Sequence, residues 1–101
     1  MNKNLIVALS TNGTIRSFQI EHNLLATYLN DDIQFCGAIV DCNVVAISAK
    51  NQSGDIPINI FSTEHPELFD LTHGEILLVG SDLNGMECDV DVERVCKILT
   101  K

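Results

Sequence analysis

The apolar residues of this chain fall into short runs that are separated by turn-forming residues. Apolar or alternating runs of four to eight residues bounded by Gly, Pro, Asn or Asp are typical of strands, whereas helices space apolar residues three or four positions apart. We predict about seven strands on this basis, at Leu5–Leu9, Ile15–Glu21, Ile33–Val40, Val44–Ala49, Ile56–Phe61, Glu75–Val79 and Met86–Val90.

Turn residues between these runs predict how the strands are joined. Asn12-Gly13 and Asn84-Gly85 suit type I′ turns, in which both central residues have positive φ, so we predict a β-hairpin at each. Pro57 has no N–H to donate, so the strand Ile56–Phe61 is predicted to lie at a sheet edge or to begin at this proline. Gly37, inside a strand, indicates a bulge or a close backbone approach.

Three short helices complete the predicted architecture. Asn23 is suited to cap a first helix that carries Leu24, Leu25, Tyr28 and Leu29 on one face. Pro66–Leu71 is predicted to be a second helix, because proline is favoured at the first helical position. The third runs from about Asp91 to Leu99, with Asp89 or Asp91 as its cap and with four apolar residues at helical spacing: Val92, Val95, Cys96 and Leu99.

Together these elements predict an α+β fold with a mostly antiparallel, hairpin-rich sheet in one domain over residues 1–101. Hydrophobic residues make up 46% of the chain and aromatic residues only 5%, so the core is expected to be aliphatic. The apolar run after Met1-Asn-Lys-Asn is too short for a signal peptide, and no run is long enough to span a bilayer, so we predict a cytoplasmic protein that does not bind membranes.

The charge of the chain is strongly negative and unevenly distributed. It has 14 acids against 6 bases, a formal charge of −8, which argues against direct binding to nucleic acid. No Lys or Arg occurs between Lys50 and Arg94. That span is either a solvated surface that aids solubility or a surface that meets a basic protein partner. For the second case we single out Asp82, Glu87, Asp89, Asp91 and Glu93.

No motif in the chain indicates catalysis, so we predict no catalytic residue, no cofactor, no metal site and no enzyme. The four cysteines lack zinc-ligand spacing, and no phosphate-binding loop or nucleophile elbow is present. The cysteines are therefore interpreted as small buried hydrophobes. The enzymatic alternative would pair Cys36, Cys42 or Cys88 with a histidine.

Two further hypotheses remain open from the sequence. Asn59, inside an apolar run, and His65 could line a small-ligand pocket between the sheet and the predicted helix Pro66–Leu71. A homodimer could also form if an open sheet edge paired across a two-fold axis.

The order of elements also resembles a family of small, functionally uncharacterised domains found mainly in phages and other mobile elements. The similar features are the hairpin at Asn12-Gly13, the segment Ile56-Pro57-Ile58-Asn59, and Gly74–Asp82 leading into Asn84-Gly85 and an acidic closing helix. The resemblance implies a small accessory protein of phage or mobile-element origin, and it implies no catalytic residue. Our leading hypothesis is a non-enzymatic interaction protein, for which inhibition of a host protein would be a natural form.

Overall fold

A computed structural model describes residues 3–100 and confirms the predicted α+β fold. Met1, Asn2 and Lys101, the ends of the predicted domain, lie outside the described residues. Two short 3-10 turns, His22–Leu24 and Val40–Cys42, interrupt the main elements. Those elements are β1 (Asn4–Leu9), β2 (Ile15–Ile20), α1 (Leu25–Leu29), β3 (Ile33–Ile39), β4 (Val44–Ala49), α2 (Ile60–Glu64), β5 (Ile76–Ser81), β6 (Glu87–Cys88) and α3 (Val92–Leu99).

One antiparallel sheet with the strand order β2-β1-β5-β4-β3 organises the fold, and the short β6 pairs with the end of β5. Central strand β5 is buried from Ile76 to Gly80, because it has neighbours on both sides and packed side chains on both faces. This position explains why its sequence is apolar without alternation. Within residues 3–100 the sheet has six strands rather than about seven.

The two faces of the sheet are covered to different extents. On the first face, Phe61 of α2, Phe69, and Val95 and Leu99 of α3 pack over side chains from β1, β3, β4 and β5. On the second face the only buried helical residue in the cluster is Leu25 of the five-residue α1, with Leu29 packed beside it. The second face is therefore only partly covered.

Both predicted hairpins are present, but the prediction of type I′ turns is wrong. Ser10–Thr14 and Asp82–Met86 close as three-residue loops, in which the first residue also accepts a hydrogen bond from the glycine three positions later. Only the glycines, Gly13 and Gly85, have positive φ, at 97° and 77°, while each asparagine does not. This is the alternative hairpin geometry, a type I turn followed by a left-handed residue.

The predictions for Ile56–Phe61 and Pro66–Leu71 are wrong. The first segment makes one isolated bridge, between Ile58 and His73, and then enters α2. The second is a turn followed by an isolated bridge between Phe69 and Gly37. Proline disfavours helical geometry in the residue before it, and α2 ends at the C-cap His65, immediately before Pro66. Pro66 therefore marks the end of a helix that lies on its N-terminal side.

Gly37 lies at the predicted bulge, where the register between β3 and β4 shifts. It is also a point of close approach, since a side chain there would overlap the carbonyl oxygen of Leu68. The segment around Leu68 runs along the free side of β3: Ala38 N donates to Leu68 O at 3.1 Å and Asp70 N donates to Cys36 O at 2.7 Å. Half of this sheet edge is thus covered by irregular chain.

The remaining boundaries differ from the prediction only locally. Asn23 does not cap α1, which begins after the 3-10 turn, whereas Asp91 does cap α3. The last strand is only Glu87–Cys88, because the chain then leaves β5 and holds β1, with Val90 N donating to Leu5 O at 2.9 Å. Within residues 3–100, no helix combines the length and the hydropathy needed to cross a membrane.

We expect Gly37→Ala to lower the free energy of unfolding by at least about 2 kcal/mol, because the added methyl group forces β3 and the Leu68 segment apart. Urea unfolding followed by circular dichroism measures the change. Gly54→Ala is the matched control, since no atom lies within 4 Å of its added carbon, and it should stay within about 0.5 kcal/mol of the parent. Equal effects of the two substitutions would contradict the close approach at Gly37.

Candidate functional site

Five exposed acidic residues line the segment that leads from β5 to α3, and we call them the acidic ribbon: Asp82, Glu87, Asp89, Asp91 and Glu93. They lie in the turn after β5, on β6, before α3 and in its first turn. All five residues of the predicted partner surface are thus exposed, although Val90 between Asp89 and Asp91 is buried.

Three carboxylates of the acidic ribbon also accept backbone hydrogen bonds. Asp89 Oδ1 accepts from Leu5 N at 2.7 Å and so holds the start of β1. Asp82 Oδ1 accepts from two backbone N–H groups of its own hairpin loop, both at 2.9 Å. Asp91 Oδ1 accepts from Arg94 N at 3.2 Å as the cap of α3. An asparagine oxygen could accept the same bonds, so they account for the side-chain geometry without requiring the charge.

The two glutamates of the acidic ribbon make weaker contacts. Glu87 Oε1 lies 3.3 Å from His22 Nδ1, and Glu93 Oε1 lies 3.6 Å from Lys97 Nζ. The Glu93–Lys97 pair is almost fully exposed, so solvent screens most of its attraction. The carboxylates of the ribbon therefore remain available to a partner.

A second feature, which the sequence did not predict, is an apolar groove beside the acidic ribbon on the uncovered part of the second face. Its volume is about 320 Å³. Apolar side chains of β3, β4 and β5 form its floor, and His22, the β5–β6 turn and Glu87 form its wall. The apolar residues are Ile33, Phe35, Val45, Ile47 and Val79.

Several large apolar side chains near this groove face solvent. Phe35 is 74% exposed although it lies within a strand, and Ile33 is 42% exposed. Leu83, on the hairpin loop whose Gly85 lines the groove, is 95% exposed. Contiguous exposed apolar surface on a small protein commonly marks an interaction site. The alternation of Ile33 and Phe35 was visible in the sequence, but it could not show which sheet face is left open.

The ligand site predicted at Asn59 and His65 is not formed. Asn59 is fully buried: its Nδ2 donates to Leu9 O and Gly74 O, each at 2.9 Å, and its Oδ1 accepts from Phe61 N at 3.0 Å. Its amide is used by the backbone and does not face a pocket. His65 bonds to Leu99 O at 3.1 Å through Nε2, so it ties α2 to α3.

The thiols proposed for an enzymatic alternative lie in unfavourable surroundings. Burial raises the pKa of the Cys36 thiol, and the Ser48 and Thr72 side chains oppose that shift only in part. Burial also raises the pKa of the Cys42 thiol, and the nearby positive charge of Arg94 opposes this shift only in part. A raised pKa reduces the thiolate fraction, which is the nucleophilic form. Cys88 is half-buried on β6. Among residues 3–100, no group of three His, Cys, Asp or Glu side chains could hold a metal ion.

A polar cluster that sequence reasoning also missed joins β2, α1 and the start of β5. Arg16 Nη2 donates to Tyr28 Oη at 2.9 Å and pairs with Glu75 Oε2 at 3.1 Å. The Tyr28 ring packs 5.2 Å from that of Phe18, and burial raises the pKa of its hydroxyl. These contacts fix α1 on the sheet. The Arg16, Tyr28 and Glu75 side chains are engaged with one another in a structural cluster.

Comparisons with protein-family models, with curated proteins and with solved structures find no match to this chain. The resemblance to phage and mobile-element domains therefore stays a prediction. The functional argument rests on the acidic ribbon and the apolar groove.

We expect Asn59→Ala to lower the free energy of unfolding by roughly 3 kcal/mol or more, because it removes three hydrogen bonds to backbone groups, two of them buried. Asn23→Ala, at an exposed asparagine that caps no helix, is the control and should change stability by less than about 0.5 kcal/mol. Urea unfolding compares the two variants. A small effect at Asn59 would show that its bonds are replaceable.

We expect iodoacetamide to leave Cys36 unmodified in the folded protein at pH 8 and to modify it rapidly in urea, because burial removes access and disfavours the thiolate. Peptide mapping by mass spectrometry measures the modification at each cysteine. The Cys36→Ala variant lacks the Cys36 peptide, so the signal that is missing from its peptide map is the one that belongs to Cys36. Fast native labelling of Cys36 would reopen the thiol-enzyme alternative.

Proposed function

We propose that this chain is a non-enzymatic interaction protein that binds another protein with a basic surface through the acidic ribbon. The observation that carries the proposal is the exposure of all five ribbon carboxylates on one short segment. The nearest bases in sequence, Arg94 and Lys97, are exposed and border Asp91 and Glu93 at the α3 end of the ribbon. A surface with an excess of carboxylates favours positively charged partners and repels anionic ones.

The distribution of charge supports a role in association rate as well as in affinity. A net charge of −8 on 101 residues produces a long-range field that attracts cationic surfaces. Screening by salt weakens such attraction, so association is expected to slow as ionic strength rises. The same field disfavours nucleic acid and anionic membranes as direct partners.

The resemblance to phage and mobile-element domains suggests a biological form for this activity. A small acidic protein from such an element can act as an inhibitor that occupies a basic surface of a host protein. A cytoplasmic location belongs to this proposal, because host proteins would be met there.

Neutralising the acidic ribbon without disturbing the fold tests the proposal. The variant replaces the three aspartates of the ribbon with asparagine, which keeps each acceptor oxygen, and the two glutamates with glutamine. The five positions are Asp82, Asp89, Asp91, Glu87 and Glu93. We expect a bound protein captured by the parent chain from cell lysate to be lost or to fall at least about tenfold with this variant. Quantitative mass spectrometry of the affinity eluate measures the change.

A second five-residue variant provides the matched control. It carries the corresponding amides at exposed or half-exposed acids elsewhere: Glu21, Asp32, Asp41, Asp55 and Glu64. Both variants move the formal charge from −8 to −3 by removing five acids, so any difference between them reports the position of the charges. Equal retention of the partner by both variants would contradict a role for the acidic ribbon.

A further inference from the structure

The apolar groove on the second face is left open by the elements formed within residues 3–100. Leu25 and Leu29 of α1 pack into the apolar cluster on this face, and α1 lies close to β3 and β4, yet Phe35 of β3 stays mostly in solvent. Burial of an aromatic side chain is favourable, so leaving Phe35 exposed forgoes a stabilisation that a partner could recover. The groove volume of about 320 Å³ suits one or two apolar side chains.

The charges around the groove indicate what the occupant carries. None of the described residues that line the groove is Lys or Arg, and Glu87 lies on its wall. Asp82 precedes the hairpin loop that borders it. A second copy of this chain would bring a further charge of −8 to the same place, which opposes self-association. Basic side chains on the occupant would be attracted instead.

The backbone of β3 indicates how the occupant is held. A partner strand cannot extend the sheet along all of β3, because the Leu68–Asp70 segment already bonds to Cys36 and Ala38. Only the start of the strand, Ile33–Phe35, lies before that contact, and it is too short for stable strand addition. Recognition at this place must therefore come from side chains that enter the groove.

We propose that the apolar groove takes a large apolar side chain from a basic segment of the partner protein, with Lys or Arg beside it meeting Glu87 and Asp82. This inference rests on the proposed function and names the partner's recognition element as an apolar anchor flanked by positive charge. Phe35 forms the main contact with the anchor, because aromatic residues at the centre of interfaces carry a large share of binding energy. The acidic ribbon attracts the segment and the groove retains it.

Four fluorescein-labelled synthetic peptides of equal length separate the contribution of the apolar anchor from that of positive charge. Each alternates two residue types: Leu–Lys, Ser–Lys, Leu–Glu or Ser–Glu. Fluorescence anisotropy measures their affinities for the full chain. We expect the Leu–Lys peptide to bind at least about tenfold more tightly than the Ser–Lys peptide. Both Glu peptides should fail to bind.

Substitution of Phe35 localises the apolar contribution. We expect Phe35→Ser to reduce the affinity for the Leu–Lys peptide to that of the Ser–Lys peptide, and to leave the Ser–Lys affinity unchanged. Phe35 is 74% exposed, so the fold should tolerate the change, which circular dichroism verifies. Leu71→Ser, at an exposed apolar residue outside the groove, is the control and should leave all four affinities unchanged.

The outcomes distinguish failure of this inference from failure of the proposed function. The role of the groove would be refuted if the Leu–Lys and Ser–Lys peptides bound with equal affinity and Phe35→Ser did not change it. The acidic ribbon would then be the sole binding surface. Equal affinity for the Leu–Lys and Leu–Glu peptides would overturn the basic partner in both proposals. Absence of binding to either Lys peptide would overturn both. A dimer in sedimentation that Phe35→Ser converts to monomer would assign the groove to a second copy.

Discussion

The fold depends on the buried amide of Asn59, which joins three parts of the chain that are distant in sequence. Its donors hold the end of β1 through Leu9 and the approach to β5 through Gly74, and its acceptor caps α2 through Phe61. Asn59 N also donates to Thr72 O at 2.7 Å. A buried amide is stabilising only when its polar atoms are bonded, so this residue fixes α2 and the long 50–75 connection in one position on the first face.

That position leads to the unequal covering of the sheet. With α2, α3 and the Phe69 segment all packed on the first face, only the short α1 remains for the second. The Arg16–Tyr28–Glu75 contacts tie α1 to β2 and to the residue that precedes β5. The groove is the part of the second face that this short helix leaves open, and Glu87 of β6 lies on its wall.

The acids of the ribbon combine structural and electrostatic roles. Asp82 closes a loop, Asp89 holds β1 and Asp91 caps α3, so each position requires a short side chain with an acceptor oxygen. Asparagine meets that requirement equally well in loops and at caps. At Asp91 and Glu93 the negative charge also complements the dipole of α3. The choice of charged residues at Asp82, Glu87 and Asp89 is what the proposed association with a basic partner explains.

The sequence by itself determined the α+β class and the two hairpins, and it narrowed Gly37 to a bulge or a close approach and the cap of α3 to Asp89 or Asp91, because these follow from local periodicity and turn chemistry. It did not determine the turn geometry at Asn12 and Asn84, since an Asn-Gly pair fits both two-residue and three-residue loops. The sequence prediction placed Asn59 on a strand and beside a ligand pocket. An isolated polar residue in an apolar run gives no sign that its side chain bonds to distant backbone groups. The end of α2 before Pro66 follows from a local rule, since proline disfavours helical geometry in the residue before it, although the sequence prediction placed the helix on the other side of this proline. Only the tertiary structure decided that Asn59 is a core cap and that Phe35 lies on the open part of the sheet. Both depend on contacts between residues far apart in the chain, which no local pattern encodes.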